Sequence, residues 1–489
     1  MKTRSISVNF LANATGTLVT IAVSILTVPI FVHRIGEARY GVLSIVWLLL
    51  GYFGFLDLGL SRASTNALAR LQASSTSDRT SLIVASLLAN LVIGCAGAVA
   101  LYLAGMALMT WFITVPEAIK PEIAFALPWV AAFLPLALVS GVAVGILEAS
   151  ERFTAVNALQ TFGAVLGQVA PVVAAILISP TLDVVVPIAV IARAAGVLLI
   201  LAFVVLKEGP WGSFVVQAEA LVGLFKYGGW VTVSSLVSPL LQSIDQFVIG
   251  STLGVSAVTY YAIPMSLVTR SQFFAVALSR ALFPRLSRLE AAEAQRVFEK
   301  ATLTLGFSYA VICGPAIFLA KPFIALWISP AFADTAGPIA ALLMLGAWIN
   351  GLAFVPFSLL QARGRPDLTA KFHLLEVLPF LLILWFLTSH FGLIGAALAW
   401  VFRVALDAAL LMWAAKAKWP TLLTLGIPAA CLVACCFCAW IIPVSNILSL
   451  VWSVAAGTVL AIIGIVSDPV LRRTGGRTLG HLFSRRGPA

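Results

Sequence analysis

The chain has 489 residues, of which 61% are hydrophobic and 10% are charged, and its formal net charge is +11. Soluble domains carry roughly 25% charged residues, so this composition excludes a soluble globular protein. The positive charge does not indicate a nucleic-acid partner, because most basic residues lie in short loops between apolar runs that are long enough to cross a bilayer.

The apolar runs predict an all-α polytopic membrane protein with about fourteen transmembrane helices. The runs are continuous rather than alternating, which favours helices over strands, and the linkers are too short to hold a soluble domain. The first run is longer than a signal peptide requires, so we expect it to be retained. The predicted limits are 10–32, 41–60, 81–107, 122–147, 156–178, 183–206, 228–252, 256–282, 301–328, 333–360, 368–389, 391–415, 420–442 and 447–467.

Loop charges predict the orientation of these spans. With a cytoplasmic N-terminus, the basic residues of the outer loops are Arg34, Arg39, Lys120 and Lys321, and most of the others fall on the cytoplasmic side. Cytoplasmic loops of membrane proteins are enriched in lysine and arginine. The bias therefore predicts an even number of spans and two cytoplasmic termini, with the basic tail 468–489 near anionic lipid headgroups.

Two stretches that read almost alike indicate an internal repeat. Residues 147–152 read Leu-Glu-Ala-Ser-Glu-Arg, and residues 360–365 read Leu-Gln-Ala-Arg-Gly-Arg. A second match links 36–41 to 254–260, and a third links Arg193 to Arg403. Three matches in the same order make chance an unlikely origin and predict two related halves of the same orientation.

The repeat predicts the domain organisation. We expect two six-helix lobes arranged as parallel repeats, at 1–210 and 211–419. Two appended spans then occupy 420–467, and the basic tail follows at 468–489.

Charged residues inside the spans are the candidate site residues, because a charge in hydrocarbon is costly and usually faces a cavity. Arginine is in excess there, and its forked donors suit phosphate. We predict that a cationic cavity binds an anionic, phosphate-bearing substrate through four arginines, which are Arg34, Arg193, Arg270 and Arg403.

Acidic and histidine side chains form a second candidate set, for ion coupling or for charge pairing. His373 and Glu376 are three residues apart and would share a helix face, where they could carry protons. Asp407 lies four residues after Arg403 and could simply neutralise it. Asp57 and Asp245 complete the set, and both interpretations stay open for all five residues.

The sequence contains no Walker A, His-Glu-x-x-His or Gly-x-Ser-x-Gly motif. We therefore predict a secondary transporter that is not an enzyme, has no cofactor and has no metal site. The cysteines at 431–438 lack zinc-site spacing and are interpreted as apolar packing residues.

Four segments together resemble the polysaccharide (O-antigen type) flippases of the multidrug/oligosaccharidyl-lipid/polysaccharide exporter superfamily. They are Arg34-Ile35-Gly36 through Tyr40-Gly41, Phe55 to Leu60, Asp245 to Gly250 with Leu253-Gly254 and Tyr260, and Gln361 to Pro366. The resemblance covers about residues 1–420, and the order and spacing of the motifs make it specific.

The resemblance implies a multi-pass protein of the bacterial inner membrane that serves surface polysaccharide biosynthesis. It would flip polyprenyl-pyrophosphate-linked oligosaccharide to the outer leaflet, by alternating access of two bundles around a cationic cavity. Its partners would be the lipid-linked oligosaccharide and the bilayer, together with H⁺ or Na⁺ as coupling ion and the polysaccharide polymerase machinery.

Three other functions stay open. A peptidoglycan-precursor lipid flippase of the same superfamily would support viability, so a harmless gene deletion would argue against it. A cation-coupled drug exporter fits poorly with an excess of arginine. A membrane glycosyltransferase or polymerase usually needs a sizeable soluble loop with acidic catalytic residues, and the loops here are short.

Overall fold

The computed structural model describes residues 6–53, 57, 68, 76–208, 241, 243–441 and 446–472. Nearly all of these residues are helical and none lies in a strand, which confirms the predicted all-α membrane fold. The helices are α1 (Ile6–Ile35), α2 (Glu37–Phe53), α3 (Thr76–Ala107), α4 (Lys120–Ala149), α5 (Phe153–Leu177), α6 (Leu182–Glu208), α7 (Val255–Ser271), α8 (Phe273–Leu286), α9 (Ala291–Trp327), α10 (Pro330–Ala362), α11 (Pro366–Ala414), α12 (Trp419–Ile441) and α13 (Asn446–Ser467).

Ten of the described helices are long and apolar enough to cross a membrane. Helix α11 contains two predicted spans, 368–389 and 391–415, and it bends between them at Gly392, whose φ is 59° and ψ is −141°. The ring of Phe372 lies 6.5 Å from that of Trp413. The two parts of α11 therefore run antiparallel, as two separate spans would.

The predicted span 256–282 is divided into α7 and α8 at Gln272. The backbone N–H of Gln272 bonds the carbonyl of Thr269 at 3.3 Å, three residues back instead of four. The hydroxyl of Ser271 donates to the carbonyl of Val268 at 2.7 Å. Such side-chain bonds compete with the helical ladder, which accounts for the interruption.

The described residues form two compact units that divide between Thr259 and Tyr260. The predicted lobe boundary at residues 210 and 211 lies in the range 209–240, outside the described residues. In the first unit, α3, α4 and α6 pack around a core that includes Val142, Ala143 and Ile146.

Helix α5 of the first unit packs against α1 and α6. It approaches α6 closely at two glycines, because a Cβ on Gly163 would lie 3.3 Å from the Cα of Gly196. Small residues allow helix backbones to approach in this way.

Residues 241–259 belong to the first unit because their turn is bonded to that unit's own loops. The N–H of Thr114 donates to the carbonyl of Gly250 at 3.1 Å, and the N–H of Val255 donates to the carbonyl of Thr114 at 3.2 Å. The Thr259 hydroxyl donates to the carbonyl of Glu37 at 2.6 Å. The predicted repeat partners 36–41 and 254–260 are therefore in direct contact.

In the second unit, α9 and α10 form the central pair. Their core includes Phe298, Tyr309 and Trp348, and the indole N–H of Trp348 donates to the carbonyl of Gly306 at 2.8 Å. Helices α12 and α13 pack against α9. The predicted appended spans are thus part of the packed second unit.

The two turns that carry the paired sequence motif have the same backbone geometry. The N–H of Arg152 donates to the carbonyl of Leu147 at 2.9 Å, and the N–H of Arg365 donates to the carbonyl of Leu360 at 2.9 Å. Glu151 has a φ of 57° and Gly364 has a φ of 69°. Both are helix ends with a left-handed residue after the last turn, where glycine is favoured.

Candidate functional site

Arg193 is a half-buried cation within the membrane-spanning part of α6. Its guanidinium carbon lies 3.9 Å from the centre of the Trp47 ring, so the planar group stacks on the indole. Helix α5 makes room for the side chain at Gly167, where an added Cβ would lie 2.8 Å from the Arg193 Cγ. The side chain of Arg193 is therefore held between the Trp47 ring and the backbone of α5.

A cavity of about 320 Å³ adjoins Arg193 between α4, α5 and α6. We call it the Arg193 cavity. Its polar lining consists of Ser140, Gln160, Gln168 and Arg193, and its apolar lining includes Phe133. Two polar atoms here, Arg193 Nε and Gln168 Oε1, are buried and have no hydrogen-bond partner among the described residues.

Arg193 has no carboxylate within 4.0 Å among the residues that the structure describes. Arg39, in contrast, donates through Nε and Nη2 to both oxygens of Glu122, at 2.8 and 2.6 Å. That hydrogen bonding raises the pKa of Arg39 above its ordinary value. Glu122 also accepts the backbone N–H of Leu182 at 2.8 Å. Arg39 thus forms a structural ion pair with Glu122. Arg193 has no such partner among the described residues, so its charge is available to bind an anion.

The second unit contains a buried charged cluster, defined by His373, Glu376, Arg403 and Asp407. Arg403 Nη1 lies 4.0 Å from Glu376 Oε2, and His373 Nε2 lies 3.6 Å from Asp407 Oδ1. Both contacts join the two antiparallel parts of α11. Arg403 also lies over the ring of Phe380 at 5.5 Å. The structure therefore brings the His373–Glu376 and Arg403–Asp407 pairs of the sequence into one cluster.

The cluster is almost sealed from solvent. Side-chain exposure is 1% for Glu376, 8% for Arg403 and 10% for Asp407, against 21% for His373. The cluster thus holds two carboxyl groups, one guanidinium and one imidazole away from solvent. Such a set suits charge pairing and ion coupling equally.

The other predicted site residues lie outside α6 and α11. Asp245 is fully buried, and its Oδ1 accepts the N–H of Gln246 at 2.8 Å. Arg34 is exposed in the last turn of α1, and Arg270 is half-buried in the last turn of α7. Asp57 is half-buried, and Asp57, Asp245 and Arg270 each make further interactions. Roles in binding or coupling stay predictions for all of them.

Sequence reasoning missed the neutral neighbours of the charges. Trp47 and Phe380 support the two arginines, and Gln160 and Gln168 line the Arg193 cavity. A search for charges inside spans cannot detect them. The available signal was the presence of two glutamines within one apolar span, because amides in hydrocarbon also require partners.

Comparisons with known proteins agree with this fold. The family model of the polysaccharide biosynthesis protein matches residues 6–290. The putative O-antigen transporter of Shigella flexneri is 28% identical over 414 residues, which are 84% of this chain and 97% of that protein.

Two solved structures share the fold at low identity. The inward closed conformation of the lipid II flippase MurJ gives a TM-score of 0.71 at 13% identity, covering 96% of this chain and 99% of that one. The inward-facing conformation of a multidrug resistance MATE family transporter of the MOP superfamily gives 0.68 at 14% identity, covering 84% and 99%. The structural matches show that this chain has the fold of MOP-superfamily flippases and transporters. Because the family model covers more than half of the chain, as the motifs implied, this chain belongs to the polysaccharide biosynthesis protein family.

Proposed function

We propose that this protein is a secondary transporter, and not an enzyme, that flips polyprenyl-pyrophosphate-linked oligosaccharide from the cytoplasmic to the outer leaflet of the bacterial inner membrane. The proposal draws on the family, on the name of the Shigella flexneri relative and on the many membrane-spanning helices. The flipped glycan would serve surface polysaccharide biosynthesis, together with a polymerase machinery.

The observation that carries the proposal is the charge of Arg193, which has no carboxylate within 4.0 Å among the described residues. An arginine at the centre of a membrane helix costs about 2.5–3.5 kcal/mol on insertion scales. Stacking on Trp47, at 3.9 Å, returns about 0.5–2 kcal/mol. The part of the insertion cost that stacking does not offset favours an anionic ligand at the guanidinium. Charge-assisted hydrogen bonds to phosphate are among the strongest that a side chain forms.

The headgroup would therefore pass through the protein while the polyprenyl chain stays in the bilayer, by alternating access. We assign Arg193 the main contact with the pyrophosphate, and Arg34, Arg270 and Arg403 further contacts along the path. Arg403 has the weaker claim, since Glu376 already compensates its charge at 4.0 Å. The buried charged cluster, with Asp57 and Asp245, is the proposed place for H⁺ or Na⁺ coupling or for charge pairing.

The test uses cells in which the gene is deleted and replaced by variants. Arg193→Ala should abolish surface polysaccharide and leave lipid-linked glycan on the cytoplasmic face, and Arg193→Lys should restore export only partly, because lysine lacks the planar fork. Arg280→Ala is the matched control, since Arg280 is exposed and makes no contact assigned to the site. Full export by Arg193→Ala, at normal protein level, would contradict the proposal.

A further inference from the structure

We infer that the second unit has a binding site for the headgroup of an anionic phospholipid, formed by Arg363, Lys416 and Lys418. Arg363 ends α10, and the two lysines lie in the turn between α11 and α12. Both turns are on the side of the membrane that is predicted to be cytoplasmic. The site is separate from the Arg193 cavity and does not depend on the proposed substrate.

Two side chains of α9 hold the two turns together. Gln295 Nε2 donates to the carbonyl of Lys416 at 2.9 Å, and Gln295 Oε1 accepts from Arg363 Nη2 at 2.8 Å. Glu299 Oε1 accepts the backbone N–H of Lys418 at 2.9 Å. The guanidinium of Arg363 is thus two hydrogen bonds away from the Lys416 backbone. Tertiary packing therefore gathers three cations that belong to two different turns.

The charges of these cations are not compensated within the described part of the chain. None of the three has a carboxylate within 4.0 Å there. Glu299 is buried, and it bonds the backbone of Lys418 instead of the ammonium group. Arg365 and Lys371, in contrast, lie 3.0 and 3.6 Å from the carboxylate of Asp367. The positive charge of the site is therefore available to an anion.

Two tryptophans place the site at the level of the lipid headgroups. The turn at 415–418 connects the second arm of α11 to α12, and both are long and apolar enough to cross a membrane. Trp413 precedes the turn and Trp419 follows it, with exposed fractions of 74% and 70%. Tryptophan is enriched at membrane–water interfaces, where the lipid phosphates also lie. The surroundings therefore favour a lipid phosphate over a soluble anion.

The backbone of Lys416 suggests that its side chain has a purpose. Its φ of 56° lies in the left-handed region, where glycine is favoured. The N–H of Ala417 donates to the carbonyl of Met412 at 2.9 Å, which is the bond of a helix end that usually has glycine at this position. A strained residue that is not glycine is a reason to look for a function. A glycine here would remove the strain together with the ammonium group.

The experiment titrates the purified full-length protein, in a neutral detergent, with short-chain phosphatidylglycerol, short-chain phosphatidylcholine and inorganic phosphate, and measures the heat of binding. A basic residue near an anionic lipid surface strengthens binding about fivefold. We therefore expect phosphatidylglycerol to bind at least about tenfold more tightly than either other probe. Lys416→Gly combined with Lys418→Gln should remove about tenfold of that affinity.

The matched control combines Arg365→Gln with Lys371→Gln, which removes the same charge from cations that Asp367 already compensates. It should change the affinity less than about twofold. Lys416→Gly alone should unfold at a higher temperature than the wild-type protein and still bind phosphatidylglycerol about fivefold more weakly, because strain and charge are lost together. Gain of stability with loss of affinity is not expected from a purely structural lysine.

Two results would overturn the inference. Equal loss of affinity in the two double variants would mean that phosphatidylglycerol responds to the overall charge of this surface and not to a site. Inorganic phosphate that binds as tightly as phosphatidylglycerol would mean that the ligand is a soluble anion.

Discussion

Replacing Gly41 by alanine should weaken the first unit, because the turn at 254–259 packs directly on this glycine. An added Cβ would lie 1.8 Å from the carbonyl oxygen of Val255 and 2.7 Å from its carbonyl carbon. Both are backbone atoms, so no side-chain rotation can relieve the clash. The backbones must separate by about 1.2 Å to bring the shorter distance from 1.8 Å to 3.0 Å.

The size of the effect follows from three contributions. Overpacking costs about 1–3 kcal/mol. Separation also breaks the 2.6 Å hydrogen bond from Thr259 to the carbonyl of Glu37, at about 0.5–1.5 kcal/mol. Replacing a glycine by alanine within a helix stabilises the helix by up to about 1 kcal/mol, which offsets part of this loss. We expect Gly41→Ala to lower the free energy of unfolding by about 0.5–4.5 kcal/mol.

Gly51 provides a matched control in the same helix, since no atom of the described residues lies within 4 Å of a Cβ added there. Gly51→Ala should leave stability unchanged or raise it by about 0.4–1 kcal/mol. The measurement is unfolding of both purified variants in the same detergent, followed by tryptophan fluorescence. If Gly41→Ala is as stable as Gly51→Ala, the backbone contact with Val255 is not formed in the protein.

Three further predictions concern the turns and the charge pairs. Glu151→Gly should raise the unfolding free energy by about 1 kcal/mol, because Glu151 has a φ of 57° and glycine adopts this conformation without strain; an unchanged or lower unfolding temperature would refute this. Glu122→Ala should lower the free energy of unfolding by about 2–4 kcal/mol, because it removes the partner of Arg39 and of the Leu182 N–H. Glu122→Gln should lower it less in the same melting assay. Arg403→Gln should reduce the yield of folded protein in size-exclusion chromatography, and adding Glu376→Gln should restore part of that yield. An equally low yield in the double variant would argue against pairing of Arg403 with Glu376.

The apolar pattern predicted the helices well because burial in lipid depends mainly on the length and continuity of a run. Residues 368–389 and 391–415 were assigned to two spans from composition, and the bend at Gly392 separates them. The motif at 147–152 and 360–365 predicted a repeat, and both turns close with the same hydrogen bonds. Such turns are local structures, so a short sequence specifies them.

The partners of the buried charges could not be predicted, because they depend on tertiary packing. Helical spacing suggested that Asp407 could neutralise Arg403, yet among the described residues the carboxylate found within 4.0 Å of Arg403 is that of Glu376, on the opposite arm of α11. Trp47 supports Arg193 from a distant helix, and periodicity defines a helix face without defining what packs on it. Gln168 was missed because it carries no charge.

The central claim, that Arg193 contacts the pyrophosphate of a flipped lipid, is tested most directly with purified protein in liposomes. A short-chain polyprenyl-pyrophosphate oligosaccharide, placed in one leaflet, is followed as it becomes accessible to an enzyme or label on the other side. We predict that the wild-type protein and Arg280→Ala accelerate this movement and that Arg193→Ala does not, at equal amounts of folded protein. Equal flipping rates for Arg193→Ala and the wild-type protein would contradict the account.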